Sequence, residues 1–392
     1  MRFAGSLTAI RVLCILAALS PSAVAIAPRD TTPIVTDMSG RSYRGFKPVP
    51  SVEAFLGIPY AQPPVGPLRW KPPQPLSPLQ YNNITHDSSK LGKSCYQFRG
   101  MYFLRDPSLG ENWATFTNAQ TEESEDCLTL NVWVPELRDR KKPLPVLLWI
   151  HGGSFFEGSS SYPSKHQEPG FTLQMILIIV IISVYDGANI VKANQDVIVV
   201  TFKYISLPLG FYGYPLLTLV KSPYSYRLNI FGFPLTDSIP ISKTNLGLFD
   251  QRQAVVWVRD NIAKFGGDPD KITLFGESAG AASVISHIFS YPDDPIVSGF
   301  IAQSPYNVKP ASPTDFAYVA TTVGCANGTE AQVFQCLMNT DAQLISQGMG
   351  GDTLHLPGMP PGGSPVVDNT TIWSPGGYLE QADKGKFAHR VS

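Results

Sequence analysis

Apolar residues along this chain follow two periods, and the changes between them mark its elements. Leu128 to Val134 alternates, as a strand does. Pro145-Val-Leu-Leu-Trp-Ile150 is a continuous apolar run, which suits a strand buried on both faces, and Val197-Ile-Val-Val-Thr-Phe202 is a second. Between Leu248 and Phe265 the period lengthens. Ala254, Val255, Val258 and Ile262 recur at helical spacing, Asp250 lies near the start, and Gly266-Gly267 supplies a stop. Lys271-Ile-Thr-Leu-Phe275 reads as another buried strand, and Ala281 onward returns to helix-compatible residues. Strand, helix, strand, turn and helix in this order predict an α/β fold with a mostly parallel central sheet flanked by helices. The earlier stretch, Ile26 to about Asp126, is rich in Pro and Gly and predicts loop-rich packing around an edge hairpin. Two segments fit no such grammar: Ser164–Ser183, with the run Met175-Ile-Leu-Ile-Ile-Val-Ile-Ile182, and the aromatic, Pro-interrupted Lys203–Ser225. The apolar run of the first is shorter than the ~20 residues a membrane helix needs.

Composition narrows the function classes. The chain has 392 residues, enough for one large domain, and a hydrophobic fraction of 43% supplies a substantial core. A net charge of −1 provides no basic field, so nucleic acid is not an expected partner. Residues 1–25 carry Arg2 and Arg11, a short apolar core from Val12 to Leu19, Pro21, and small residues Ala23-Val24-Ala25 suited to cleavage; this reads as a secretory leader. Without Cys14 of the leader four cysteines remain, Cys95, Cys127, Cys325 and Cys336, and an even number in an exported chain implies disulfides. Four cysteines permit three pairings, of which Cys95 with Cys127 and Cys325 with Cys336 is the most economical. Neither pair has the spacing of a metal site, so no metal is expected. Asn83, Asn327 and Asn369 head N-x-Thr sequons, in keeping with glycosylation of an extracellular protein.

The chemistry concentrates in two motifs. Gly276-Glu277-Ser278-Ala279-Gly280 follows a buried strand and precedes a helix, the setting a nucleophile elbow requires. The glycines Gly276 and Gly280 would let the chain turn sharply, leaving the Ser278 hydroxyl at the sheet edge and the Ala279 N–H facing an oxyanion. His151-Gly152-Gly153-Ser154, directly after the strand ending at Ile150, matches the glycine loop that supplies further oxyanion donors upstream of such an elbow.

These motifs, with Gly57-Ile-Pro-Tyr-Ala-Gln-Pro-Pro64, Leu68-Arg69-Trp70 and Glu125-Asp-Cys-Leu-Thr-Leu-Asn-Val132, resemble the type-B carboxylesterase and lipase family, which includes the cholinesterases. The resemblance covers Phe55 to Arg390 apart from the two misfit segments. It implies an α/β-hydrolase fold, Ser278 as nucleophile, an oxyanion hole made by the N–H groups of Gly153, Ser154 and Ala279, and the two sequence-adjacent disulfides. Gly152 supports the loop, and Ser154 stands where the family commonly has a third glycine. It also implies a small-molecule or lipid ester as substrate, no cofactor, and a lid in the first disulfide loop, where Met101-Tyr-Phe-Leu104 could meet a lipid interface.

The pattern breaks after the serine. An α/β-hydrolase runs Ser, then Asp or Glu, then His. The resemblance places the last two beyond Ser392, and none of His287, His355 or His389 stands at the position it assigns to the base. On this reading residues 26–392 are a partial hydrolase domain, incomplete at the C-terminus, that is nearly inactive as written. The misfit segments deepen the suspicion. Replacing Lys203–Ser225 by one Asn restores a family-like run from Val200 to Gly232, and codons for Lys203 and Ser225 are those an unspliced GT…AG intron would create. Removing about 164–183 likewise joins Pro163 to Val184. Both segments read as retained introns.

Overall fold

The computed structural model describes residues 32–77, 84–97, 122–136, 142–156, 187–201, 226–305, 311–349 and 363–389. The expected leader 1–25, Asn83, the lid residues Met101–Leu104, His355 and both intron-like segments lie outside the described residues. The unit considered from this point is Thr32–Ser392.

Its centre is a seven-stranded sheet in the order β10-β9-β7-β8-β6-β4-β3. The strands are β3 (Phe46–Val49), β4 (Val52–Pro59), β6 (Thr129–Pro135), β7 (Leu144–Ile150), β8 (Ile198–Thr201), β9 (Gly267–Glu277) and β10 (Gly299–Gln303). β1 (Ile34–Thr36), β2 (Ser42–Arg44) and β5 (Thr85–Asp87) form a separate small sheet. The expected strands are all present. The parallel character is confined to β8, β7, β9 and β10, whereas β6, β4 and β3 join antiparallel, so the sheet is mixed. The expected edge hairpin is β3–β4, but β4 is no margin: seven of its eight residues are buried between β3 and β6.

Both faces of the sheet are covered. In β6 the alternation holds, with Leu130, Val132 and Val134 in the main core and Trp133 in a second cluster on the opposite face. There α1 (Gly187–Ala193) packs so closely that a methyl on Gly187 would lie 2.6 Å from the Trp133 ring. A short helical turn, α2 (Asn229–Gly232), leads to α3 (Leu246–Asn261), whose Ala254, Val255 and Val258 enter the main core. The predicted helix ends as a 3₁₀ turn, Ile262–Phe265, closed by Gly266 at φ 82°, a left-handed conformation suited to glycine. Asp250 does not serve the helix start. It is fully buried and grips the Arg227 guanidinium at 2.7 and 2.8 Å.

After β9 comes α4 (Ala279–Ser290), and beyond β10 are α5 (Pro313–Thr322), α6 (Glu330–Asn339), α7 (Ala342–Met349) and α8 (Pro375–Asp383). Helices α5 to α7 surround an aromatic cluster with Trp70, Phe231 and Phe316. Both sequence-adjacent disulfides, Cys95–Cys127 and Cys325–Cys336, are formed. The motif residues near the start of the chain act here as joints. Arg69 makes a bidentate ion pair with Glu125 at 2.6 and 2.7 Å, and its Nη1 donates to the carbonyls of Leu337 and Thr340 at the end of α6. Trp70 Nε1 donates to Ile230 O, and Gly57 N–H donates to Asn131 Oδ1.

Candidate active site

Register brings the two glycine motifs together. Ile150, the last residue of β7, pairs with Gly276 of β9, so the loop His151–Ser154 leaves the sheet beside Glu277 and Ser278. A methyl group on Gly152 would lie 2.8 Å from Glu277 O and 3.1 Å from Ser278 Cβ. On the other side β10 runs parallel to β9, and the Ser278 N–H donates to Gln303 O at 3.0 Å.

Ser278 itself takes the strained conformation, φ 55° and ψ −119°. Non-glycine residues rarely occupy this region, and they do so where the surroundings over-determine them. From the sequence, the sharp turn is expected at the glycines. The structure gives them a different role: neither Gly276 nor Gly280 has positive φ. Their missing side chains permit close approach instead. A methyl on Gly280 would lie 2.1 Å from Ile150 O, and one on Gly276 would lie 2.5 Å from the Gly280 carbonyl carbon. Helix α4 therefore begins directly against the end of β7.

The glycine loop is strained as well. Gly153, Ser154 and Phe155 have φ of 107°, 56° and 65°, and the Phe156 N–H closes a four-residue turn on Gly153 O at 3.1 Å. Positive φ at both central positions is the pattern of a type I′ turn, which Asn and Gly ordinarily fill. Ser154 thus carries a backbone cost of about 1–2 kcal/mol, in addition to any narrowing by its side chain. Among the described residues, the N–H groups of Gly153 and Ser154 donate to no other residue. The Ala279 N–H opens α4 and so has no partner within the helix. The Gly153 and Ser154 N–H groups thus directly follow Gly152, which abuts Ser278, and the Ala279 N–H directly follows Ser278 itself.

Two residues not singled out from the sequence support this loop. Tyr226 stacks on the His151 ring at 4.3 Å, and its hydroxyl donates to His151 O at 3.1 Å. Asn229 donates its backbone N–H to Phe155 O at 2.7 Å. Their spacing from the motif carries no periodic signal, because the contact is made only by tertiary folding.

Two of the later histidines, His287 and His389, are engaged elsewhere. His287 lies on α4 nine positions beyond Ser278, roughly 13 Å along the axis at the helical rise. It is buried, and its Nδ1 bonds to Ser283 O at 3.0 Å. His389 is exposed with Nε2 on Gly385 O at 2.9 Å, and its neighbour Ala388 is tied to Ile288 O near the far end of the same helix. Asp368 is spent on its own turn, where Oδ1 accepts the N–H groups of Thr370, Thr371 and Ile372.

Burial lowers the His287 pKa to about 4, with the Arg252 charge adding to the effect and the Ser283 carbonyl opposing it. With a folded value below the ordinary 6.5, the neutral ring is favoured by folding. Its stability contribution is complete above pH 6.5 and is lost as pH falls towards 4, up to about 3 kcal/mol. His287→Leu is therefore expected to flatten the fall in unfolding free energy between pH 6.5 and 4 relative to wild type. Identical slopes in denaturant titrations across that range would refute this assignment.

The sheet with a serine at a strained strand-to-helix elbow, faced by a glycine loop from the neighbouring strand, defines an α/β-hydrolase. A model of the carboxylesterase family matches residues 31–215 and 219–388. The chain is 33% identical to a chlorogenic acid esterase of Aspergillus niger over 396 residues, which takes in 96% of this chain and 65% of that protein. It is 36% identical to the cholinesterase of Mus musculus over 80% of this chain and 44% of the relative. An acetylcholinesterase of Danio rerio is 35% identical over 80% of this chain and 43% of its own length. The chain belongs to the carboxylesterase family, and it spans less than two thirds of the length of these relatives.

Proposed function

We propose that this chain carries the nucleophile and oxyanion loop of a secreted serine carboxylic ester hydrolase. The observation that bears most weight is the elbow. Ser278 is held at φ 55° against Gly152, with uncommitted N–H groups at Gly153, Ser154 and Ala279. In this reading Ser278 Oγ attacks the ester carbonyl and those donors take up the charge on the carbonyl oxygen. The alcohol leaves, and water then releases the acid from the acyl-serine. The residues named need no cofactor. The general base and its acidic partner are expected from sequence outside the described residues, and without them turnover falls by roughly four to six orders of magnitude. The second reading, a binding module or inactive fragment, is weakened by the intact serine and its strained geometry, which a purely structural turn would not need to maintain.

Export is supported by the leader-like residues 1–25, the two disulfides and the exposure of Asn327 and Asn369. Among the described residues no helix is long and apolar enough to cross a membrane. We further propose that about 164–183 and 203–225 are intron sequence carried into this chain by a gene-model error; reads of mature transcript that cross both segments intact would remove that idea.

The functional test is covalent labelling by a fluorophosphonate. Wild type is expected to take one label, Ser278→Ala none. Absence of Ser278-dependent label from the folded chain and from a form extended downstream would refute the hydrolase reading. Chlorogenic acid and a choline ester are the first substrates to try, since the relatives are named for them.

A further inference from the structure

The strained glycine loop needs something to hold it. Two consecutive non-glycine residues, Ser154 and Phe155, sit at φ 56° and 65°, and such a turn relaxes unless its surroundings prevent it. The Phe155 side chain is fully buried, with its ring edge-on to Phe233 at 5.3 Å, but a ring contact does not fix the peptide plane. Hydrogen bonds do. One reaches the first residue of the loop, from Tyr226 to His151 O, and one reaches the turn itself, from Asn229 N–H to Phe155 O at 2.7 Å.

Asn229 is held in place from several sides. It is fully buried and has φ 46°, a left-handed conformation that Asn tolerates better than any other residue except Gly. Its Nδ2 donates to Tyr96 O at 2.7 Å, next to the Cys95–Cys127 disulfide. Its Oδ1 accepts the Phe231 N–H at 3.2 Å, and its carbonyl accepts the Phe233 N–H at 2.8 Å. Gly363 packs directly on its backbone, where an added methyl would lie 1.8 Å from the Asn229 carbonyl carbon. The left-handed φ directs the N–H at Phe155 O, and the side chain locks that φ to the disulfide-bonded segment.

We infer that Asn229 is a positioning residue for the oxyanion loop: its left-handed backbone fixes the strained turn Gly153–Phe156 and so aims the N–H groups of Gly153 and Ser154 at the oxygen on the group reacting with Ser278. The inference rests on the hydrolase reading above. The test does not depend on a general base, because the reactivity left when a triad is incomplete comes largely from the oxyanion hole.

The measurement is the time course of Ser278 labelling by a fluorophosphonate. Ser278 Oγ bonds to phosphorus, fluoride leaves, and the hydroxyl proton passes to solvent. The end-point amplitude counts folded protein, and the first-order rate constant at saturating reagent reports the hole. Asn229→Ala, which disfavours positive φ, is expected to lower that rate constant by about tenfold or more, since loss of one oxyanion donor costs 10²–10³ and a misaimed one costs less. Asn229→Gly accepts the same φ and is expected to stay within about threefold of wild type at full amplitude. A wild-type rate constant for Asn229→Ala overturns the inference, because a merely structural role moves amplitude alone. If the alanine variant does not fold, a folded glycine variant slowed tenfold overturns it, since restoring φ would then not restore the hole. If the wild-type chain takes no Ser278-dependent label, the same variants are read in the form extended downstream, and absence of label there too removes the functional reading instead.

Discussion

Gly280→Ala is expected to prevent folding, or to leave a protein several kilocalories less stable in which Ser278 is displaced. The added methyl would lie 2.1 Å from Ile150 O, 2.8 Å from the Ile150 carbonyl carbon and 2.9 Å from His151 O. All three are backbone atoms at the end of an interior strand, so no side chain can swing aside. Overpacking of a core usually costs about 1–3 kcal/mol after relaxation. Here relaxation must move either α4 off β7 or the start of the glycine loop, and the loss should exceed the ~4 kcal/mol that marks an exceptional substitution. The control is Gly376→Ala in the first turn of α8, where nothing lies within 4 Å of the added methyl and φ is not positive. That change should be neutral or slightly stabilising, by up to about 1 kcal/mol. Thermal or denaturant unfolding of both variants decides the matter. A Gly280→Ala protein with wild-type stability would mean that helix and strand are not in the contact described.

Asp250→Ala is expected to cost about 3–5 kcal/mol, the range for breaking a buried ion pair by removing one partner. The Arg227 guanidinium is 4% exposed and its carboxylate partner 0%, and the same carboxylate also accepts the Arg227 backbone N–H at 3.0 Å. With Asp250 gone, Arg227 keeps its bond to Lys71 O but loses the compensation for its charge. The effect reaches the candidate site because Arg227 follows Tyr226, which stacks on His151. Replacing both partners by apolar residues, Arg227→Met with Asp250→Leu, should be milder than Asp250→Ala, since no uncompensated charge remains. The check is the denaturant midpoint at constant slope. A cost under 1 kcal/mol for Asp250→Ala would show that water reaches the pair.

Some of this was written locally. The runs at Pro145–Ile150 and Lys271–Phe275 specify interior strands by apolar content alone, and the helical spacing of Ala254, Val255, Val258 and Ile262 specifies the helix packed against them. That each glycine motif closes a buried strand was also legible, whereas the pairing of those two strands was not. Other features were not. The exchange from parallel to antiparallel between β8 and β6 has no period to announce it, since a strand alternates in the same way whichever direction its neighbour runs. Asp250 stood near a helix start and read as helix-favouring, yet burial beside Arg227 made it an ion-pair partner.

The sequence by itself therefore determined which residues could react. It placed Ser278 between two glycines after a buried strand, and Gly152 and Gly153 after another, because those residue types are read one segment at a time. Only the tertiary structure decided how the residues are held. Strand register set Ile150 beside Gly276, the glycines became necessary through the backbone they touch, and Ser278 took the strained φ. Asn229 and Tyr226, far from the glycine loop in sequence, became its supports for the same reason. Close approach and hydrogen-bond direction depend on where distant segments meet, and no local pattern encodes that.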